Sequence, residues 1–166
     1  MGGALDAAGE RVTFLVRPSA AEHIRANGIS ISGAMGTLSI PAPHLSTDLP
    51  SALADGRCDL VILAVKSFHT ATAIQALRSA GAQPLPVLCL QNGVDNETLL
   101  AEAFSAKNVI PGTVTTAVSS LQPGAVVVER ERGVGLAAGH PLSLQLQQTF
   151  SAAGFRTLLH PNARAM

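Results

Sequence analysis

Residues 59–65, DLVILAV, run apolar without a break after their opening aspartate. A strand with one wet face alternates apolar and polar residues, whereas an unbroken apolar run suits a strand covered on both faces. The run falls far short of the roughly 20 residues that cross a bilayer, so it predicts a buried strand. Residues 12–16 (VTFLV) and 86–90 (PVLCL) repeat the pattern, with helix-like segments between them. Buried strands alternating with helices predict an α/β fold, a doubly wound and mostly parallel sheet, with the later strands open to antiparallel pairing.

Composition narrows the class. Hydrophobic residues make up 47% of the 166, with no Trp or Tyr and five Phe, so the core must be built from Ala, Val, Leu and Ile. The formal net charge is zero and Lys and Arg do not cluster. That removes the electrostatic footprint of a nucleic-acid binder. No apolar stretch is long enough for a membrane span, and no charged start followed by an apolar run marks a secretory signal. Cys58 and Cys89 lie in or beside strand-like runs and read as reduced core residues, not as a disulfide or metal pair. The expected class is a soluble cytoplasmic α/β domain.

Residues 19–27 predict a short helix closed by Gly28. GISISG and GTLSIP alternate apolar with polar and predict a small hairpin. Asp48 and Ser51 offer helix starts in DLPSALADG. A helix over about 68–78 places Ala71, Ile74 and Leu77 on one face. VDNETLLAEAF predicts another, capped by Asp95 or Asn96, with Leu99, Leu100 and Phe104 inward. NVIPGTVTTAV, GAVVVER and GVGLAAG read as strands, and PLSLQLQQTFSAAG as a last helix with Pro141 in its first turn.

In open α/β sheets, ligands lie beyond the carboxyl ends of the strands. Arg17 follows VTFLV. At the end of the second strand of a dinucleotide-binding fold, an acidic residue binds the ribose 2′-hydroxyl of NAD, whereas Arg suits the 2′-phosphate of NADP. A solvated arginine before proline is the plain alternative, and the glycines ahead of it favour NADP. Lys66 follows DLVILAV and either faces the crevice or caps the surface. Asn92 and Gly93 follow PVLCL and make a tight turn, whose amide serves the turn alone or orients ribose and substrate hydroxyls. Thr113, Thr115 and Thr116 are candidates for the same crevice, with Thr115 favoured as strand filler. The five histidines lack metal-ligand spacing, and Glu129 and Glu131 flank Arg130 as a solvated strand end. No nucleophile elbow or P-loop occurs, so hydrolase chemistry lacks support.

Taken together, AAGERVTFLVRP, DLVILAVKSFHT, LCLQNGVDN, IPGTVTTAV and HPNARAM resemble the 2-dehydropantoate 2-reductase (ketopantoate reductase) family, in order and over essentially the whole chain. The resemblance implies NADPH-dependent reduction of 2-dehydropantoate to pantoate, on the way to pantothenate and coenzyme A. It implies a Rossmann-like N-terminal domain followed by a helical one. Carried over, Gly2 is similar to the last glycine of the family's Gly-rich loop and Arg17 to its 2′-phosphate ligand. Lys66 resembles the lysine that holds cofactor at the crevice. Asn92 resembles the amide beside the nicotinamide ribose and substrate, and Thr113 a residue lining the cofactor site. NADP is the implied cofactor and a small 2-oxo acid the implied partner; a second copy of the chain is an admissible one.

The departures are as informative. The family's first strand and first glycines have no counterpart in 1–166, nor does its helical domain. The family's general-acid lysine is expected beyond Met166, so no catalytic residue is nominated and 1–166 reads as an incomplete dinucleotide-binding domain. In a sheet ordered 3-2-1-4-5-6 the first strand is central. The strands at 12–16 and 59–65 are then expected to lose a shared neighbour. Each buried group left unpaired costs about 1–3 kcal/mol against a domain stability of about 5–15 kcal/mol. The two strands would close on each other, accept another chain, or pair with a strand encoded ahead of Met1, which is the favoured reading. Two further functions fit: a reductase of another 2-oxo acid, and a non-catalytic NADP-binding or interaction module.

Overall fold

The computed structural model describes residues 1–54, 56–81, 85–93 and 95–161; the NARAM end of HPNARAM lies outside them. The first half of the chain runs α1 (Gly2–Ala7), β1 (Thr13–Leu15), α2 (Pro18–Asn27), β2 (Ile29–Gly33), β3 (Leu38–Ile40), β4 (His44–Ser46), α3 (Leu49–Leu53) and β5 (Val61–Leu63). The second half runs α4 (Thr70–Ser79), β6 (Val87–Cys89), α5 (Asn96–Phe104), β7 (Val109–Val114), β8 (Ala117–Gln122), β9 (Ala125–Arg130), β10 (Val134–Ala137), α6 (Ser143–Ala152) and β11 (Thr157–His160).

The largest ladder among the described residues has five strands in the order β11-β10-β7-β6-β5. Its β5, β6 and β7 are parallel, β10 is antiparallel to β7, and β11 is parallel to β10. β6 shows why an unbroken apolar run fits here. Leu88 faces a cluster with Leu5, Ile110, Leu136 and Phe150, while Val87 and Cys89 face Leu63, Ile74, Leu77 and Leu100. Both faces of the strand are thus covered, one by α1 and α6, the other by α4 and α5.

The expected single sheet is divided. Among the described residues β1 pairs only with β4, and a four-stranded ladder, β3-β2-β9-β8, forms around Ile24, Ile29, Ile31, Ile40 and Val128. The predicted hairpin is β2–β3, antiparallel from Ile29↔Ile40 to Ile31↔Leu38. β5 ends its sheet and does not pair with β1, so the chain does not adopt direct closure of the two strands. One expectation fails as a result. The 12–16 strand is not covered on both faces: Thr13 and Leu15 are exposed and Phe14 is half-buried, because β1 has one paired edge and a neighbour of only three residues.

Two helix faces also differ. α2 ends at Gly28, whose φ of 72° is the left-handed region that glycine enters without strain. α3 starts on Asp48, whose Oδ1 accepts the Ser51 N–H at 2.8 Å and is thereby held below the usual carboxylate range. In α4, however, Thr70 lies inward with Ile74 and Leu77, and Ala71 is exposed. In α5, Asn96 is buried with Leu100 and Phe104, while Leu99 is 44% exposed. In both helices a polar residue takes the inward position at the amino end. Cys58 and Cys89 are not joined in a disulfide, and among the described residues no helix is long and apolar enough to cross a membrane.

Candidate functional site at the carboxyl edge

Strand register sets the site. Leu63 lies opposite Cys89, and Cys89 opposite Pro111. Two residues further along each strand, Val65, Gln91 and Thr113 come level at the carboxyl edge. Lys66 and Asn92 stand one step beyond. Both are exposed.

Lys66 is extended (φ −61°, ψ 143°), and its carbonyl accepts the His69 N–H at 2.8 Å to open the turn Ser67–His69. Within that turn Phe68 is 77% exposed, its ring 4.4 Å from the His69 ring centre. Across from it, Gly93 turns the chain with φ 113°. A Cβ on Gly93 would lie 3.6 Å from Ser67 Cβ and 3.5 Å from Asn96 Nδ2, so the Asn92 turn abuts the Lys66 turn.

Beneath the two turns sits a buried polar group that sequence reasoning did not assign. Gln91 Nε2 donates to the Val65 carbonyl at 2.9 Å and to Thr70 Oγ1 at 2.8 Å. Thr70 Oγ1 is a donor within reach of Ser67 O (2.7 Å) and Asn96 Oδ1 (2.9 Å). Asn96 Nδ2 reaches the Asn92 carbonyl at 3.4 Å. Thr70 is 1% exposed, Asn96 2% and Gln91 6%, and such groups persist in a core only when partnered. The signal available in the sequence was position: Gln91 and Thr70 are polar residues placed directly after or near apolar runs. Burial also pushes the Cys89 thiol, which donates weakly to Gln91 Oε1 at 3.7 Å, up to about 11, so it is no nucleophile at neutral pH.

The other candidates divide into two groups. Arg17 follows β1 and caps α2 with its backbone: its carbonyl accepts the Ala20 and Ala21 N–H groups at 2.9 and 3.1 Å, leaving the side chain exposed. Gly2 opens α1, where a Cβ would meet Phe14 Cε1 of β1 at 2.7 Å. A Cβ on Gly3 would meet Ile31 and Ile40 Cδ1 at 2.9 Å each. Gly2 therefore lets the helix start lie against β1, and Gly3 lets it rest on β2 and β3. Thr113 is half-buried in β7. It shares the level of Gln91 and pairs with Gly135, where an added Cβ would lie 2.9 Å from the Thr113 methyl and 3.1 Å from the His160 ring. Thr115 is exposed, and Thr116 Oγ1 accepts the Arg132 and Gly133 N–H groups at 3.3 Å, a structural task. A surface hollow of about 370 Å³ beside Leu15, Asp48, Leu49 and Ala80 includes neither Lys66 nor Asn92 in its walls.

Residues 1–139 match the family model described as ketopantoate reductase PanE/ApbA. The chain belongs to the ketopantoate reductase family. A 2-dehydropantoate 2-reductase of Halobacterium salinarum is 39% identical over 131 residues, covering 76% of this chain and 41% of the relative. The PanE/ApbA family ketopantoate reductase of Ralstonia eutropha has a solved structure that superposes with a TM-score of 0.86 at 28% identity, over 98% of this chain and 53% of that one. A D-mandelate dehydrogenase solved with NADH and anilino(oxo)acetate shares the fold, with a TM-score of 0.81 at 20% identity, over 98% of this chain and 53% of that one. The chain spans about half the length of the relatives it matches, and its fold is that of their Rossmann-like N-terminal domain.

Proposed function

We propose that residues 1–166 are the cofactor half of an NADPH-dependent oxidoreductase that reduces 2-dehydropantoate to pantoate. The supporting observation is the pairing of the Lys66 and Asn92 turns at one strand edge, locked from below by Gln91, Thr70 and Asn96. The donor set suits a dinucleotide: an ammonium, a primary amide, a guanidinium and the first amides of α1, which have no helical carbonyl a turn earlier to donate to. When bound, such a cofactor supplies a hydride to the carbonyl carbon of the substrate. In this reading Lys66 holds an anionic group of the cofactor, Asn92 orients the nicotinamide ribose and the substrate, and Gly2 admits the pyrophosphate to the start of α1. Thr113 lines the rear of the same site. None of the described residues is assigned as proton donor to the ketone oxygen. The names of the relatives support the substrate, and cytoplasmic pantothenate synthesis is the setting that follows from it.

The choice of cofactor rests on Arg17. The D-mandelate dehydrogenase of the same fold holds NADH. In this chain a planar, permanently charged fork stands at the end of β1, where it suits a ribose 2′-phosphate. Calorimetry on the 166-residue chain is expected to show tighter binding of NADPH than of NADH, and Arg17→Ala is expected to remove that preference. An equal loss for both cofactors overturns the phosphate role. Consumption of NADPH with 2-dehydropantoate supports the full reaction; NADPH binding without turnover assigns the chain as a cofactor-binding module.

A further inference from the structure

The buried polar group under the site is more than core filling, because three of its bonds join the segment that carries Lys66 to the segment that carries Asn92. Gln91 Nε2 has two hydrogens, and both are used: one on the Val65 carbonyl, next to Lys66, and one on Thr70. Thr70 accepts that bond and has one proton to give, with Ser67 O and Asn96 Oδ1 as its two acceptors. Asn96 in turn reaches the carbonyl of Asn92. One hydroxyl therefore sits where the end of β5, the Lys66 turn, the end of β6 and the start of α5 meet. Substitution there leaves several buried partners unmet at once, since a network of this kind is worth more than its separate pairs.

Resting on the function proposed above, we propose that the Thr70 hydroxyl is a positioning group that fixes the Lys66 turn and the Asn92 turn relative to each other, and so sets the separation of the ammonium and the amide that meet the cofactor. Thr70 is buried and touches no ligand itself. Its action differs from that of Arg17: it serves the part of the cofactor common to NADPH and NADH, so its loss weakens both alike.

The test uses the full chain and has two arms. Without ligand, amide hydrogen exchange of Thr70→Val is expected to quicken at both 66–69 and 92–93, while the distant β8–β9 hairpin keeps its rates. Quickening at only one turn, or at neither, overturns the proposal. With ligand, Thr70→Val is expected to bind NADPH and NADH about tenfold more weakly, the scale of one lost aligned contact. The salt dependence of binding should flatten as it does in Lys66→Gln, and the double variant should bind no more weakly than Lys66→Gln alone. Thr70→Ser, which restores the hydroxyl, should return binding to within about twofold of the parent. Additive losses in the double variant, or unaltered affinity in Thr70→Val, overturn the positioning role. If the parent chain binds neither cofactor, the function reading fails and the exchange arm alone decides the positioning role. If Thr70→Val does not fold, Gln91→Met, which removes both Nε2 donations, is expected to give the same paired quickening, and its absence counts against the proposal.

Discussion

Gln91 Nε2 lies 2.9 Å from the carbonyl oxygen of Val65, which ties the end of β6 to the end of β5 one residue before Lys66 and Asn92 depart. The bond is made by a side chain, at a level where neither strand continues.

Replacing Gln91 with Leu keeps the bulk and removes the donors, leaving the Val65 carbonyl and the Thr70 oxygen without the hydrogens that Gln91 supplies. We expect a loss of about 1–3 kcal/mol in urea unfolding. A stability unchanged within error would mean that water replaces the amide without cost.

Gly112 lies where β7 crosses the ends of its neighbours. A Cβ there would come within 2.7 Å of Leu90 Cδ2, 3.0 Å of Leu88 Cδ1 and 3.2 Å of the Cys89 carbonyl oxygen. Gly112→Ala is expected to cost about 1–3 kcal/mol by overpacking, read as a lowered denaturation midpoint. A midpoint equal to the parent's would show that the two leucines can move aside.

Leu88 is fully buried in the centre of the sheet, and Leu121 is 74% exposed on β8. Leu88→Ala should destabilise by about 2–5 kcal/mol through the cavity it leaves. Leu121→Ser should stay within about 0.5 kcal/mol of the parent. Similar losses for both would contradict the placement of the core.

The two cysteines should separate cleanly. With its thiol pushed up to about 11 by burial, Cys89 is ionised to only about a thousandth at pH 8, and its side chain is inaccessible besides. Folded protein is expected to lose the partly exposed Cys58 to a thiol reagent while Cys89 reacts only on unfolding. The same shift predicts a pH effect. The unfolded thiol begins to ionise near 9.0 and the folded one near 11, so stability contributed by the neutral thiol is complete below the first value and declines as pH rises between them. Cys89→Ala should flatten that decline; an unchanged alkaline profile would assign it to other groups.

Much of this architecture was legible because the central strand is covered on both faces, which the apolar run PVLCL declares directly; in LVILAV only Leu63 is buried and Val65 is 40% exposed, because β5 ends its sheet. Helix ends were legible where local chemistry acts alone, as with Asp48 and Gly28. The misplaced faces of α4 and α5 share one cause. Periodicity counts apolar residues, yet the inward position at the start of each helix is held by Thr70 and Asn96, whose partners lie 26 residues apart in the chain. The division into separate ladders was also hidden. Which strands β2 and β9 join is decided by long-range pairing, and nothing in ISISG or AVVVER names its partner. Strand β11 (Thr157–His160) was not read as a strand.

The glycine pair of α1 has a mechanical consequence. Leu5 anchors the helix in the larger core, and Gly3 rests on Ile31 and Ile40 of the smaller one, while at the opening of β1 the guanidinium of Arg11 reaches the Arg57 carbonyl at 2.9 Å. Side chains, and no strand ladder among the described residues, hold Arg17 and Lys66 on opposite banks of a seam. A ligand gripping both banks would act as a strut across it, and the smaller bank, with less packing of its own, would stiffen first.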